Sequence, residues 1–412
     1  MTRGAFAWLG LLVGCNVSPL STSGGASLPA RGDCPRGLAV LSSDFASSEV
    51  ALLSPSGDVA SSAFLSSASS TASGLAAAFS GDIVVASAPS RPGELAIVDR
   101  FGTNVLTFAD TRTAAVRAQL PVGTGFEANA QAYLELDEHH ALVPRLGQNA
   151  RPGREPFDAG SDVLLVDPSV PRIVGSVPMP RKEGYFPGPV GPTRVGAEVV
   201  VTLQHGRPDY SAMADGELVV LGVDDARVRY RLPLEGLKNC GQSQLSPSRA
   251  LLAVACEGLI DRRGAPVEPE TSGLVLLDAT ASPLVERRRF SAVELLGGPI
   301  QDSVEFVSDA LVLLKTQTAQ GAQQDNRLFS LDLERGDISL LASAARDANG
   351  RGVGIAFGAM SCETGCGDPC IVADKSRGQL LRFRLRDGSL EPDGEVMIHG
   401  AGLPPLGVTP FW

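Results

Sequence analysis

Two short stretches, Ile83-Val84-Val85-Ala86 and Leu95-Ala96-Ile97-Val98-Asp99, decide how this chain folds. A strand with one wet face alternates apolar and polar side chains, because successive side chains point to opposite sides of the sheet. Here successive positions are apolar, so both faces need cover. The pair of runs recurs along the chain. The first returns at Leu38-Ala39-Val40-Leu41, Ala141-Leu142-Val143, Val199-Val200-Val201, Leu251-Leu252-Ala253-Val254, Leu311-Val312-Leu313-Leu314 and Ile371-Val372-Ala373, which makes seven copies. The second follows each of them, at Val50–Leu53, Val163–Asp167, Leu218–Leu221, Leu274–Asp278, Leu328–Asp332 and Leu380–Phe383.

First runs are spaced about 45 to 60 residues apart, longer than a solenoid coil and right for a propeller blade of four strands. Antiparallel sheets have both faces covered when each stands between two neighbours around an axis. A doubly wound α/β fold also gives continuous apolar runs, but it needs amphipathic helices between the strands. The 46 glycines and 29 prolines punctuate this chain too often for long helices. The expected fold is therefore all-β, a seven-bladed β-propeller of four-stranded antiparallel blades. Third strands are read at 115–121, 172–177 and 228–232, and the inner strand of a following blade at 130–135. No inner strand precedes Leu38. The C-terminal segment Pro405–Trp412 is expected to supply it, pairing with the N-terminal blade and closing the ring.

The N-terminus begins Met1-Thr2-Arg3, continues through an apolar stretch from Gly4 to Val13 and ends in Gly14-Cys15, the layout of an export signal. About ten apolar residues cannot cross a hydrocarbon core that needs about twenty. A Ser-, Gly- and Pro-rich stretch follows and reads as a flexible tether. The expected organisation is a signal peptide at 1–14, a tether at 15–33 and the propeller at 34–412.

Beyond Cys15, six cysteines remain in an exported chain, an even set that admits three disulfides. Cys240 and Cys256 flank a hairpin whose turn is Pro247-Ser248-Arg249, with their midpoint at Ser248, so they should face each other across two antiparallel strands. The pairing of Cys34, Cys362, Cys366 and Cys370 stays open. The spacing Cys362-x3-Cys366-x3-Cys370 is not that of a zinc site, and no histidine lies nearby.

A net charge of −11 and a pI near 5.0 repel phosphate backbones, which argues against nucleic acid as a partner. Chemistry is thin. His139, His140, His205 and His399 assemble no Ser-His-Asp arrangement, and no catalytic residue is assigned. Asp99, Asp167, Asp278 and Asp332 recur at the ends of second runs and read as turn stabilisers that bond nearby amides. The longest loops, Arg145–Ser161, Gln204–Gly216, Glu257–Gly273 and Thr316–Asn326, follow first runs and should emerge on one face as a crown over the axis. The candidate ligand-binding residues in that crown are Arg145, Asn149, Arg151, Arg154 and Asp158, with Thr124, Gly125, Phe126 and Asn129 approaching from the preceding connection. The competing reading is that these groups bond the loops to one another. No cofactor is expected. A structural calcium is the one metal that the oxygens of 158–162 admit, although the twelve-residue calcium-loop signature is missing.

The pattern of a strand ending in Ile/Leu-Val-Asp and then a Val-x-x-x-Leu/Ile-Pro-Val-Gly strand, clearest between Gly93 and Gly123, is similar to the YVTN-type bacterial propeller repeat. From Cys34 to Trp412 the chain also resembles a group of propeller lipoproteins of predatory soil bacteria. Leu12-Val13-Gly14-Cys15 resembles a lipobox, which implies that Cys15 is acylated and becomes the first mature residue. Asn16, where an Asp would retain the chain, implies release to the outer membrane, facing the periplasm or the surface. This fold hosts adhesins, scaffolds, lactonases and quinoproteins, so it implies function only loosely. The expected function is a membrane-anchored, non-enzymatic binding or scaffold propeller of the cell envelope that recognises a protein, peptide or glycan through its crown. The alternative is a lactonase-like metal-dependent hydrolase with its site at the central funnel.

Overall fold

The computed structural model describes residues 34–69, 72–261, 264–318, 326–346, 349–350, 355–363, 366–367, 369–398 and 402–412. Cys15, the segments 1–14 and 15–33, His399 and residues 319–325 of the fourth crown loop lie outside the described residues.

Seven four-stranded antiparallel sheets stand around one axis. Numbered along the chain and from the axis outward, blade 1 holds Pro405–Phe411, Gly37–Ser43, Ser48–Leu53 and Val59–Ser66. Blade 2 holds Ile83–Ser87, Glu94–Asp99, Val105–Asp110 and Val116–Pro121, and blade 3 Leu134–Glu135, Ala141–Gln148, Gly160–Asp167 and Arg172–Pro178. Blade 4 runs through Pro189–Val195, Glu198–Leu203, Gly216–Gly222 and Val228–Leu234, and blade 5 through Gln244–Leu245, Leu251–Cys256, Gly273–Asp278 and Val285–Ser291. Blade 6 is Ile300–Ser308, Leu311–Thr316, Arg327–Asp332 and Ile338–Ser343. Blade 7 is Phe357–Cys362, Cys370–Asp374, Gln379–Arg386 and Ser389–Met397.

The apolar runs are buried on both faces because alternate residues enter different interfaces. Ile83 and Val85 pack with Leu41, Leu52 and Leu65 of blade 1, whereas Val84 and Ala86 pack with Val143 and Leu164 of blade 3. Every adjacent pair of blades shares one such cluster, and the last joins Ile371 and Leu380 of blade 7 to Leu38, Val40 and Val408 of blade 1. Inner strands approach closely enough to require glycine. A Cβ on Gly241 of blade 5 would stand 1.7 Å from the carbonyl oxygen of Asp302 in blade 6.

The expected closure is present: Gly37 pairs with Phe411, Val40 with Val408 and Leu41 with Gly407. A second clasp lies beside it, a disulfide from Cys34 to Cys366 in the loop between the first two strands of blade 7. Cys240 and Cys256 are bonded across facing strands, as the hairpin register required, and Cys362 is bonded to Cys370 directly opposite it. Three disulfides are those of a chain that folds in an oxidising, extracytoplasmic compartment.

Blade 2 corrects the repeat reading. Ile83–Ala86 is its innermost strand and not, like the other first runs, the second. The run Leu95–Asp99 is accordingly the second strand, and the third, Val105–Asp110, was not recognised from the sequence. The aspartates report the same shift. Asp167, Asp278 and Asp332 accept backbone N–H bonds within their own turns, but Asp99 accepts from the N–H and hydroxyl of Ser80 in the incoming connection. Asp110 does the turn work in blade 2, accepting from Arg112 and Thr113. In blade 3 the expected inner strand at 130–135 is reduced to Leu134–Glu135 plus a single bridge from Ala130 to Arg145.

Replacing Cys34 and Cys366 together by serine should lower the unfolding free energy by about 2–4 kcal/mol, since this bond restrains a very long loop of the unfolded chain. The change is read as a lower urea midpoint at constant slope. An unaltered midpoint would mean that the strand pairing alone secures the ring.

Candidate functional site

In an antiparallel blade, the connection after the second strand and the one leading to the next inner strand leave on the same face. All four long loops are of the first kind, so they share the crown face. The expected binding residues of blade 3 converge there around Arg145, which is fully buried in a strand extending to Gln148. Its Nε and Nη2 donate to the two carboxylate oxygens of Asp162, both at 2.8 Å. Nη1 donates to the Val122 carbonyl at 3.1 Å and to Thr124 Oγ1 at 2.7 Å, Nη2 also reaches the Phe157 carbonyl, and the guanidinium lies 5.0 Å from the centre of the Phe126 ring. Gly160, at φ +70°, lets that ring close in, because a Cβ there would stand 2.5 Å from it.

Asn149 Nδ2 donates to the Asp158 carbonyl, and the Asp158 carboxylate accepts from the backbone N–H groups of Gly153, Arg154 and Glu155, which lowers its pKa. Arg151 is exposed, and its N–H donates to Asn149 Oδ1. Asn129, at φ +48°, accepts from Gln131 through its carbonyl at 3.0 Å. The carboxylates of Asp158 and Asp162, the oxygens weighed for calcium, are thus engaged by the chain's own donors. His139 and His140 occupy an exposed turn, bonded to Ser169 and Asp137.

What this network mounts is Phe157. Its carbonyl accepts from Arg145 and, at 3.0 Å, from Thr124 Oγ1, while its backbone is held at φ +59° and its ring is 38% exposed. The same connection in blade 2 carries Phe101, 54% exposed, and in blade 1 Phe45, at φ +67° and 44% exposed. Among the described residues these are the exposed phenylalanines, and they fall on one loop type of three consecutive blades. A left-handed backbone on a bulky residue costs on the order of 1–3 kcal/mol and persists where surrounding bonds enforce it.

Under the crown the axis is polar. Glu257, at the end of the second strand of blade 5, and Asp302 and Lys315 of blade 6 are all buried. Asp302 belongs to the innermost strand of blade 6, and the charge of Arg100 in blade 2 helps to hold its carboxyl down. Burial pushes the Glu257 carboxyl well up and that of Asp302 to about 6, against the pull of Lys315. Burial draws the Lys315 ammonium down to about 8, while Asp302, Glu257 and Glu305 hold it up. Asn239 Nδ2 donates to Glu257 Oε2 at 2.6 Å, and Lys315 Nζ to the Gly358 carbonyl at 2.7 Å. Among the described residues Glu257 Oε1, Gln301 Oε1, Asp302 Oδ1 and Gln317 Oε1 meet no hydrogen-bond partner, nor does Arg100 Nη1, although the Arg100 guanidinium is paired with Asp82.

Among the described residues no three His, Cys, Asp or Glu side chains are grouped to hold a metal. In the funnel the Lys315 charge acts on both Asp302 and Glu257, pulling their carboxyls down against burial. Neither the phenylalanines nor the axial charges were singled out from the sequence. The available signal was a charge closing a doubly buried run: Lys315 after Leu311–Leu314, and Glu257 after Leu251–Cys256.

His205, in the crown connection of blade 4, is fully buried at φ +50°, with Nε2 3.0 Å from Glu217 Oε2. Glu217 also accepts from Arg231 at 2.7 and 2.8 Å, and despite burial these partners hold its pKa down at about 2.

No protein-family model and no curated protein matches this chain. Among solved structures, the periplasmic gluconolactonase of Pseudomonas aeruginosa is similar with a TM-score of 0.57 at 12% identity, over 90% of this chain and 98% of that one. A protein from Lactobacillus plantarum is similar with a TM-score of 0.56 at 10% identity, over 91% and 99%. At such identities the likeness is one of fold, and it agrees with the seven-bladed ring.

Two outcomes follow from these geometries. Arg145→Ala should cost about 3–5 kcal/mol in stability, because it strands the buried Asp162 carboxylate; a loss below 1 kcal/mol in chemical denaturation would contradict the pairing. Glu217 has a lowered folded-state pKa, so its contribution is present above its ordinary value of 4.5 and is lost as pH falls towards 2. Glu217→Gln should therefore destabilise the protein at pH 7, on the order of 2 kcal/mol, and converge with the parent near pH 2 in thermal melts.

Proposed function

We propose that this protein is a recognition propeller of the cell envelope, tethered through acylated Cys15, which binds a protein or peptide through the crown face of blades 1 to 3. One observation carries the reading: Phe45, Phe101 and Phe157 are exposed on the same connection of three consecutive blades, two of them on left-handed backbone. Burying an aromatic or large aliphatic side chain is worth about 1.5–3 kcal/mol, so three rings closed under a partner supply a useful share of an affinity. Phenylalanine has no polar tip with which to bond sugar hydroxyls, which favours apolar side chains of a polypeptide over a glycan. The expected role is binding or scaffolding without catalysis.

The test is retention of envelope proteins on the immobilised full chain, compared with the variant Phe45→Ala, Phe101→Ala, Phe157→Ala. The variant should melt where the parent melts and lose the retained species, with free sugars having no effect on the parent. A variant that keeps its partner, or a parent eluted by sugars, would remove the basis of the reading.

A second reading, hydrolysis of a lactone, is favoured by Asp302 and Lys315 standing together at the axis with pKa values drawn towards neutrality. It predicts turnover of gluconolactone that Asp302→Asn abolishes.

A further inference from the structure

A cation without a counter-charge stands beside one of the exposed rings of the crown. Lys375 belongs to the connection after the second strand of blade 7, and its Nζ lies 5.0 Å from the centre of the Phe45 ring of blade 1. It is half-buried, no carboxylate pairs with it among the described residues, and burial draws its pKa down while Asp44 opposes the shift. Its neighbour Arg377 is engaged by Asp374 at 2.7 Å and by the Ser343 carbonyl at 2.9 Å. In the same connection of blade 3, Arg151 and Arg154 are exposed just before Phe157, and among the described residues neither guanidinium has a carboxylate partner.

Carboxylates on the crown connections of blades 1 to 3 are turned to the chain itself. Asp44 accepts from the N–H groups of Ala46 and Ser47 at 2.9 and 2.7 Å, Asp82 pairs with Arg100, and Glu127 accepts from the Gly102 N–H and from Asn104 Nδ2. Asp158 accepts from N–H groups of its own loop, and the Glu155 carboxylate lies against Gly125, where a Cβ would stand 2.8 Å from Oε1. The chain as a whole carries a net charge of −11, so this rim departs from the rest of its surface. Closing a purely apolar partner over Lys375 would strip water from an ammonium that has no counter-ion, which is costly. A carboxylate on the partner offsets that cost, and the two arginines attract further acidic groups.

We propose that the crown of blades 7, 1, 2 and 3 receives an acidic polypeptide segment with apolar side chains, its apolar groups packing on Phe45, Phe101 and Phe157 and its carboxylates pairing with Lys375, Arg151 and Arg154. This assignment rests on the recognition role given above and adds the charge of the partner.

The experiment is fluorescence anisotropy of the full chain with labelled synthetic peptides: Leu and Phe interspersed with Glu, the same with Gln for Glu, the same with Lys for Glu, and the first with Ser for Leu and Phe. The Glu peptide should bind about tenfold more tightly than the Gln peptide and lose that advantage as salt is raised, and the Lys and Ser peptides should not bind. The variant Lys375→Gln, Arg151→Gln, Arg154→Gln should melt where the parent melts, bind the Glu peptide about tenfold more weakly and bind the Gln peptide unchanged. The proposal is overturned if the Glu and Gln peptides bind the parent alike, if the charge variant binds the Glu peptide as the parent does, or if no peptide binds. The recognition role itself is judged separately, by whether Phe45→Ala, Phe101→Ala, Phe157→Ala loses the retained envelope proteins; a charge variant that still retains them through those rings removes the acidic assignment alone.

Discussion

Each sheet of this protein is stable only because another covers each of its faces. A blade taken alone would expose two apolar surfaces, so the sheets must form a closed series, and closure turns local strand patterns into one cooperative body. The chain is linear, so closure has to be made between residues far apart in sequence. Pairing of Gly37–Ser43 with Pro405–Phe411 does this with backbone hydrogen bonds, and Cys34 with Cys366 does it covalently. The pairing completes blade 1 from both ends of the chain, and the disulfide ties the entry of that blade to blade 7, where a ring would otherwise open.

This constraint explains which parts of the molecule were legible in advance. Runs such as Val163–Val166 declare two buried faces, and a strand missing before Leu38 with a spare one near Phe411 declares the closure. The error in blade 2 has the same root. When every strand is apolar on both faces, hydrophobicity does not distinguish an innermost strand from the next one out, and the long connection at 67–82 gave no internal marker of position. The capping aspartate did hold that information. Asp110, with Thr113 after it, matches the turns of Asp167 and Asp278 better than Asp99 does.

The candidate site was less legible. Loop length drew attention to the crown of blade 3, and Arg145, Thr124 and Phe126 do meet there, but as a buried mount with an aromatic ring on its outer side. Phe45 and Phe101 lie in connections only a few residues long, which loop length passes over. Glu257, Asp302 and Lys315 come from separate strands of two blades, and only the folded ring lets their charges act on one another. Sequence spacing contains no trace of an encounter made between blades.

The position of the clasp also sets how the molecule is presented. Arg36 bonds the carbonyl of Phe411, at the far end of the closing strand, and Cys34 is fastened to a connection of blade 7 on that same side. Cys34 and its disulfide therefore sit on the floor of the ring, while the phenylalanines occupy its roof. The clasp takes up none of the surface those rings present, so the seam is locked from beneath and the rim stays open to whatever approaches.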